Sequence, residues 1–136
     1  MRIRHPITVR YAETDAMGVV HHSSYVPWLE AARVEWLERI GQPYPEIERR
    51  GMAYPVVELG ITYRAPARFG DRVEVEAWLT EVSARRVRYQ YRVWRGEQLL
   101  AEGFTRHLVS DSSGKAVRMP PDLLAKLSQH RDASSG

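Results

Sequence analysis

The segment between Ser24 and Ile40 constrains the fold more than any other part of the chain. It carries Val26, Trp28, Leu29, Ala31, Ala32, Val34, Trp36, Leu37 and Ile40, with only Glu30, Arg33, Glu35, Glu38 and Arg39 as charges. Ser23 or Ser24 can cap a helix here, Pro27 is tolerated in its first turn, and Gly41 with Pro43 is placed to end it. Apolar side chains occupy most of the circumference of such a helix, which predicts cover on several sides.

The cover has to come from strands. Ile3, Ile7, Val9 and Tyr11 share one parity, with Arg4, Thr8 and Arg10 on the other, as in a half-buried strand. A short helix over Pro45 to Arg50 is followed by further strand patterns. Pro55 to Arg64 contains Val56, Val57, Ile61 and Tyr63. Val73, Val75, Ala77 and Leu79 then alternate with polar residues, as do Val87, Tyr89, Tyr91 and Val93. The turn Arg95-Gly96-Glu97 leads into Gln98 to Val109 and predicts a hairpin. Asp111 to Gly114 reads as a second turn, and Pro120 or Pro121 opens a short terminal helix through Leu127. One strand, one buried helix and about four consecutive antiparallel strands define an α+β fold, a curved antiparallel sheet wrapped around one long helix. A parallel sheet would need helices between the later strands, and the sequence has none there.

Length and composition exclude several classes. The 136 residues fit one domain, expected over residues 1–130, with 131–136 expected as a flexible tail. No apolar run reaches the length needed to cross a membrane, and the N-terminus has no signal-peptide pattern, so no membrane insertion is expected and the cytoplasm is the default location. With no cysteine there is no disulfide framework, thiolate metal site or cysteine nucleophile. The formal charge of +3 rests mostly on arginine, since only Lys115 and Lys126 are lysine. It favours an anionic partner without choosing one. The basic residues are spread among acids and no nucleic-acid-binding pattern is present, so no nucleic-acid partner is expected.

The stretch from Tyr11 to Tyr25 carries chemistry. It gathers Glu13, Asp15, His21, His22 and two tyrosines at the join between the first strand and the helix. Unpaired N–H groups at a helix start form an anion site suited to a developing oxyanion. A carboxylate beside a water supplies a general base, and a histidine can orient a carbonyl or shuttle a proton.

The pattern Tyr11, Glu13-Thr14-Asp15, Gly18-Val19-Val20, His22 and Tyr25 resembles the signature of the 4-hydroxybenzoyl-CoA thioesterase family, particularly its YbgC-like acyl-CoA thioesterase branch. The run Glu30 to Glu35 and the Gly41 turn are similar to that family's central helix, and the likeness spans roughly residues 3 to 121. The resemblance implies a hotdog fold, a homodimer or homotetramer with sites at subunit interfaces, and hydrolysis of a small acyl- or aroyl-CoA without a cofactor. It implies Asp15 as general base or nucleophile, assisted by His22 and Tyr11. Gly18, Val19, Val20 and Tyr25 then belong to the substrate site. Glu13 departs from the aspartate more usual there.

Each residue also has a plainer reading. Asp15 alone would fit a turn cap, and Glu13 a structural or solvated acid. The histidine pair lacks a third ligand, since His5, His107 and His130 are scattered, so no metal site is expected. Ser23 and Ser24 are better caps than nucleophiles, as no G-x-S-x-G elbow exists. The four tryptophans fit core or interface. Arg64, Arg68, Arg85 and Arg86 lie near strand ends and are candidate partners for CoA phosphates, because the guanidinium fork binds phosphate bidentately. An acyl carrier protein is an alternative thioester donor. A hotdog enoyl-thioester hydratase and a non-catalytic acyl-CoA or acyl-carrier-protein binding module are the competing functions. The spacing of seven between Asp15 and His22 speaks against the hydratase motif.

Overall fold

The computed structural model describes residues 1–134. Seven strands and three α-helices follow in the order β1 (Arg2–Thr8), α1 (Tyr25–Arg39), α2 (Tyr44–Arg49), β2 (Met52–Ala53), β3 (Val56–Tyr63), β4 (Arg72–Val82), β5 (Arg86–Arg95), β6 (Gln98–Leu108), β7 (Ser110–Asp111) and α3 (Pro121–Gln129). The main sheet runs β1-β4-β5-β6-β3, and every neighbouring pair is antiparallel. β2 and β7 form a separate two-stranded ribbon.

The alternation read from the sequence fixes which face is core. Val73, Val75, Ala77 and Leu79 of β4 and Val87, Tyr89, Tyr91 and Val93 of β5 are buried in one core cluster with Trp28, Leu29, Trp36 and Leu37 of α1. Opposite them, the outer face pairs Glu76 with Arg92 and Arg88 with Arg106. Gly103 is required where β6 passes β3, because a Cβ there would sit 2.4 Å from the Gly60 carbonyl oxygen.

α1 buries Tyr25, Trp28, Leu29, Ala32, Trp36 and Leu37, one stripe at helical spacing. The prediction of cover on several sides is not met within one chain. Val26 stays 39% exposed and Ala31 and Val34 are half-buried, because a single five-stranded sheet covers only one side of a cylinder. The expected serine cap also differs. Ser24 sits at the cap position with helical backbone angles, continuing a 3-10 turn over His22–Ser24, and its hydroxyl donates to the Glu13 carbonyl at 3.1 Å. β1 ends at Thr8, so Tyr11 leaves the expected strand parity and enters a 3-10 turn over Tyr11–Glu13.

The chain end is tied down as far as it is described. The Asp132 N–H donates to the Leu79 carbonyl at 2.8 Å, the Asp132 carboxylate pairs with Arg2, and the Trp78 indole donates to the Ser134 carbonyl. The tail expected over 131–136 therefore begins with docked residues, and Ser135 and Gly136 lie outside the described ones.

Candidate active site

The loop between β1 and α1 is built around Glu13. Its Oε1 accepts the Arg10 N–H at 2.7 Å, and its Oε2 accepts the Trp28 indole N–H at 2.8 Å. Its backbone carbonyl accepts from the His21 N–H and the Ser24 hydroxyl. Burial pushes the carboxyl up, but the Arg10 N–H, the Trp28 indole and the Arg10 guanidinium together bring it below its ordinary value. Glu13 is the structural acid that one sequence reading proposed: it holds both ends of the loop and the helix in one arrangement.

That scaffold presents Asp15. The Asp15 N–H donates to the Val19 carbonyl at 2.8 Å and Gly18 donates back to the Asp15 carbonyl at 3.0 Å, closing a tight turn. Gly18 makes the turn with φ of +78°, a region L side chains rarely adopt. Asp15 Oδ1 accepts the Met17 N–H at 2.8 Å and lies 3.4 Å from the Val19 nitrogen. The turn-capping reading is thus correct for one oxygen. The other, Oδ2, has no partner among the described residues.

A cavity of about 360 Å³ opens beside it, lined by Asp15, Val19, Val20, His22, Tyr25, Tyr63, Arg64, Ala65 and Pro66. Six of the ten predicted site residues therefore meet in one place. His22 is exposed, its ring 3.9 Å from that of His21. His21 is occupied in the turn, where its Nδ1 accepts the Ser23 N–H at 3.1 Å. The His22 N–H has no acceptor among the described residues, and its carbonyl accepts the Tyr63 hydroxyl at 2.7 Å. Tyr25 is buried between Trp28 and Tyr63, at 4.8 and 5.1 Å between ring centroids. Burial pushes its phenol up. Arg64 stands at the cavity with its Nε 3.3 Å from Glu102 Oε2.

Four predicted residues lie elsewhere. Gly18 shapes the turn without lining the cavity. Tyr11 is 76% exposed and packs edge-on against Phe69, 5.7 Å between centroids. Arg85 and Arg86 sit at the opposite end of the sheet, where Arg86 pairs with Leu108 and lines a separate cleft with Val57, Phe104 and Arg106. β3 runs from Val57 at that cleft to Tyr63 at the cavity, roughly 20 Å at strand rise. Tyr63, Ala65 and Pro66 were missed. Tyr63 could have been found from its place beside Arg64 at a strand end. No group of three or more potential metal ligands gathers among the described residues.

A curved antiparallel sheet around one helix, with an acid and a histidine where that helix starts, defines a hotdog protein with a candidate thioester site. The chain belongs to the Thioesterase-like superfamily, whose model matches residues 9–127. It is 30% identical over 122 residues to the acyl-CoA thioesterase YbgC of Haemophilus influenzae, covering 88% of this chain and 90% of that one. Among solved structures it is similar to a hypothetical protein, TT1821, of Thermus thermophilus, with 55% identity, a TM-score of 0.92 and coverage of 97% and 99%. A DHNA-CoA thioesterase of Staphylococcus aureus superposes with a TM-score of 0.89 at 29% identity, covering 94% of this chain and 89% of that one. The expected family and the hotdog fold are both borne out.

Proposed function

We propose that this protein hydrolyses acyl-CoA thioesters to the free acid and CoA, with Asp15 activating the water. The supporting observation is the division of labour within one carboxylate: Oδ1 is held by the turn and Oδ2 is unpaired at a cavity shared with His22. A carboxylate fixed by one oxygen presents the other without the entropy of a free rotor. In this reading Oδ2 takes the proton of a water that attacks the thioester carbonyl. The His22 N–H, unpaired where the helical turn starts, donates to the oxyanion. The His22 imidazole orients the carbonyl or the water and returns a proton to the leaving thiolate. Attack by Asp15 itself, through a mixed anhydride, is the second form of the same site.

The reading includes a homodimer or homotetramer. Val26, Ala31 and Val34 of α1 and Val56, Val57, Leu59 and Tyr63 of the edge strand β3 leave apolar surface that a second copy would cover. Arg64 serves the CoA phosphates from this chain. Arg85 and Arg86 fit that role only toward a ligand in a neighbouring subunit, and Tyr11 can assist only from outside the cavity of its own chain. No described helix is long and apolar enough to cross a membrane, and the reading places the enzyme in the cytoplasm.

Thiol release from a panel of short, long and aromatic acyl-CoAs, with an acyl-carrier-protein thioester alongside, tests the proposal. Release by the wild type and its near-loss in Asp15→Asn is expected. Binding without turnover would make the protein a carrier module. Hydration of an enoyl-CoA with the thioester intact would make it a hydratase.

A further inference from the structure

His22 stands exposed at the cavity of Asp15, and its imidazole has no hydrogen-bond partner among the described residues. An exposed side chain with free χ1 and χ2 samples several staggered rotamers, and a reaction that uses its ring needs one of them. The ring contact it makes is with His21. The two centroids lie 3.9 Å apart, with 33° between the planes. Successive side chains in a regular strand point to opposite faces, so two adjacent rings are brought together by a change of backbone direction. That change occurs here. His21 is extended, with φ of −63° and ψ of 140°, and His22 opens the 3-10 turn over His22–Ser24.

His21 is itself fixed at three points. Its N–H donates to the Glu13 carbonyl at 2.8 Å, and its Nδ1 accepts the Ser23 N–H at 3.1 Å. A nitrogen that accepts an N–H carries no hydrogen of its own. The Ser23 hydroxyl, 2.7 Å from the same Nδ1, must therefore donate to it as well, and the ring N–H is at Nε2. His21 fills the cap position of the turn, where the backbone needs an acceptor that Ser, Thr, Asp or Asn supplies elsewhere. A cap needs an acceptor and no ring. The ring is the part of His21 that capping leaves unexplained, and it lies against His22. The Glu13 carbonyl ties the pair to the core, because the Glu13 carboxylate accepts from the Trp28 indole.

We infer that His21 is a positioning residue: its ring, locked by Ser23 and Glu13, is the surface on which the His22 imidazole rests, and it selects the rotamer that faces the cavity. His22 lines that cavity and His21 does not, so His21 acts through its neighbour and not on the substrate. The inference rests on the thioesterase reading, in which the His22 ring orients the carbonyl or the water and returns a proton to the thiolate. A stacked ring pair biases the rotamers available to an exposed side chain by roughly two- to tenfold. That factor sets the scale of the effect on kcat. The cavity walls that hold the substrate do not include His21, so KM should stay where it is. The cap and the stack use different atoms of one side chain, Nδ1 and the ring face, and substitution separates them.

The test compares His21→Asn with His21→Phe, by thiol release from the acyl-CoA that the wild type turns over fastest. Asparagine keeps an acceptor for the Ser23 N–H and loses the ring, whereas phenylalanine keeps a ring and loses the acceptor. Stacking predicts that kcat falls roughly five- to tenfold in His21→Asn at unchanged KM and Tm, and that His21→Phe keeps at least about half of it. A cap alone gives the reverse order, with asparagine at the wild-type rate and phenylalanine impaired together with its Tm, and that order overturns the inference. In a His22→Ala background, His21→Asn should cost nothing further, because the ring it positions is gone. A full second loss there would show that His21 acts independently, and overturns the inference as well. Turnover that survives His22→Ala strikes the role of His22 and this inference with it. Absence of turnover on every thioester strikes the hydrolytic reading instead. The stack is then judged by NMR, where the His22 ring-proton resonances should shift between wild type and His21→Asn, and unmoved resonances overturn it.

Discussion

Two polar clusters flank the central helix, and they are built on opposite rules. At the first turn, Glu13 is buried with both oxygens bonded, while Asp15, two residues later, keeps one oxygen unpaired at an open cavity. Beneath the middle of the helix, Arg33, Tyr91, Thr105 and His107 form a closed run of hydrogen bonds inside the core. A buried network must be satisfied because each orphaned group costs about 1–3 kcal/mol, whereas a group beside solvent can stay unpaired at little cost. The first cluster can therefore hold a reactive oxygen ready, and the second specifies one packing of helix on sheet. Chemistry at one and stability at the other should separate under mutation.

The largest separation is expected at Asp15. Asp15→Asn keeps an acceptor for the Met17 N–H, so the turn survives and Tm should move by a degree or two. Turnover should fall by about 10³-fold or more, the scale of losing a positioned base. Steady-state thiol release with a thermal melt reads both. Retained activity would remove Asp15 from the mechanism and leave the two clusters chemically alike.

His107 tests the other side of the comparison through pH. Its folded value near 4 lies below the usual 6.5, so the unfolded chain binds more protons between those values. Its contribution is fully present above about 6.5 and is lost as pH falls toward 4, a swing of about 3 kcal/mol from the 2.5-unit difference. Urea unfolding across that window should show the slope, and His107→Gln should flatten it. An unchanged slope would mean that the histidine is already protonated in the core.

How much of this was visible beforehand follows from what each signal depends on. Strand parity in β4 and β5 and the apolar run of α1 are local patterns, so the sheet and helix were legible from spacing. The Asp15 turn was legible for the same reason. The apolar circumference of α1 announced a helix that needs cover on several sides, but periodicity does not say which molecule supplies it, and the sheet of one chain covers one side. Tyr63 and the His107 network depend on long-range register, Tyr63 opposite Ala101 and Val87 opposite His107, which no local window contains. Arg85 and Arg86 were grouped with Arg64 as strand-end arginines, but strands have two ends and only one faces the cavity.

Glu13 sharpens the contrast with its neighbour. Glu13→Gln keeps the size of the side chain, but its amide nitrogen must face either the Arg10 N–H or the Trp28 indole, donor against donor. The loss of charge-assisted bonds should cost about 2 kcal/mol. Activity at a temperature well below the melt should remain, since the hydrogen-bond partners of the carboxylate, Arg10 and Trp28, do not line the cavity. Because its carboxyl sits below its ordinary value, Glu13 contributes stability above the unfolded carboxyl range that is lost as pH falls through the folded value. Denaturant midpoints for Glu13→Gln and Asp15→Asn, measured together, should move several times further for the first.

Tyr63 gives the smallest effect and the finest discrimination. Its hydroxyl donates to the His22 carbonyl across 41 residues of sequence and, among the described residues, is the one hydrogen bond between the edge strand and the histidine. The bond is exposed, so Tyr63→Phe should cost no more than about 1 kcal/mol in stability. The ring remains packed on Tyr25, and the cavity keeps its wall. If the bond fixes the first helical turn, kcat should fall a few-fold with KM nearly unchanged, because the oxyanion donor at His22 is then less well placed. A rise in KM at constant kcat would assign Tyr63 to binding the substrate instead, and would mean that the turn at the helix start keeps its place without that bond.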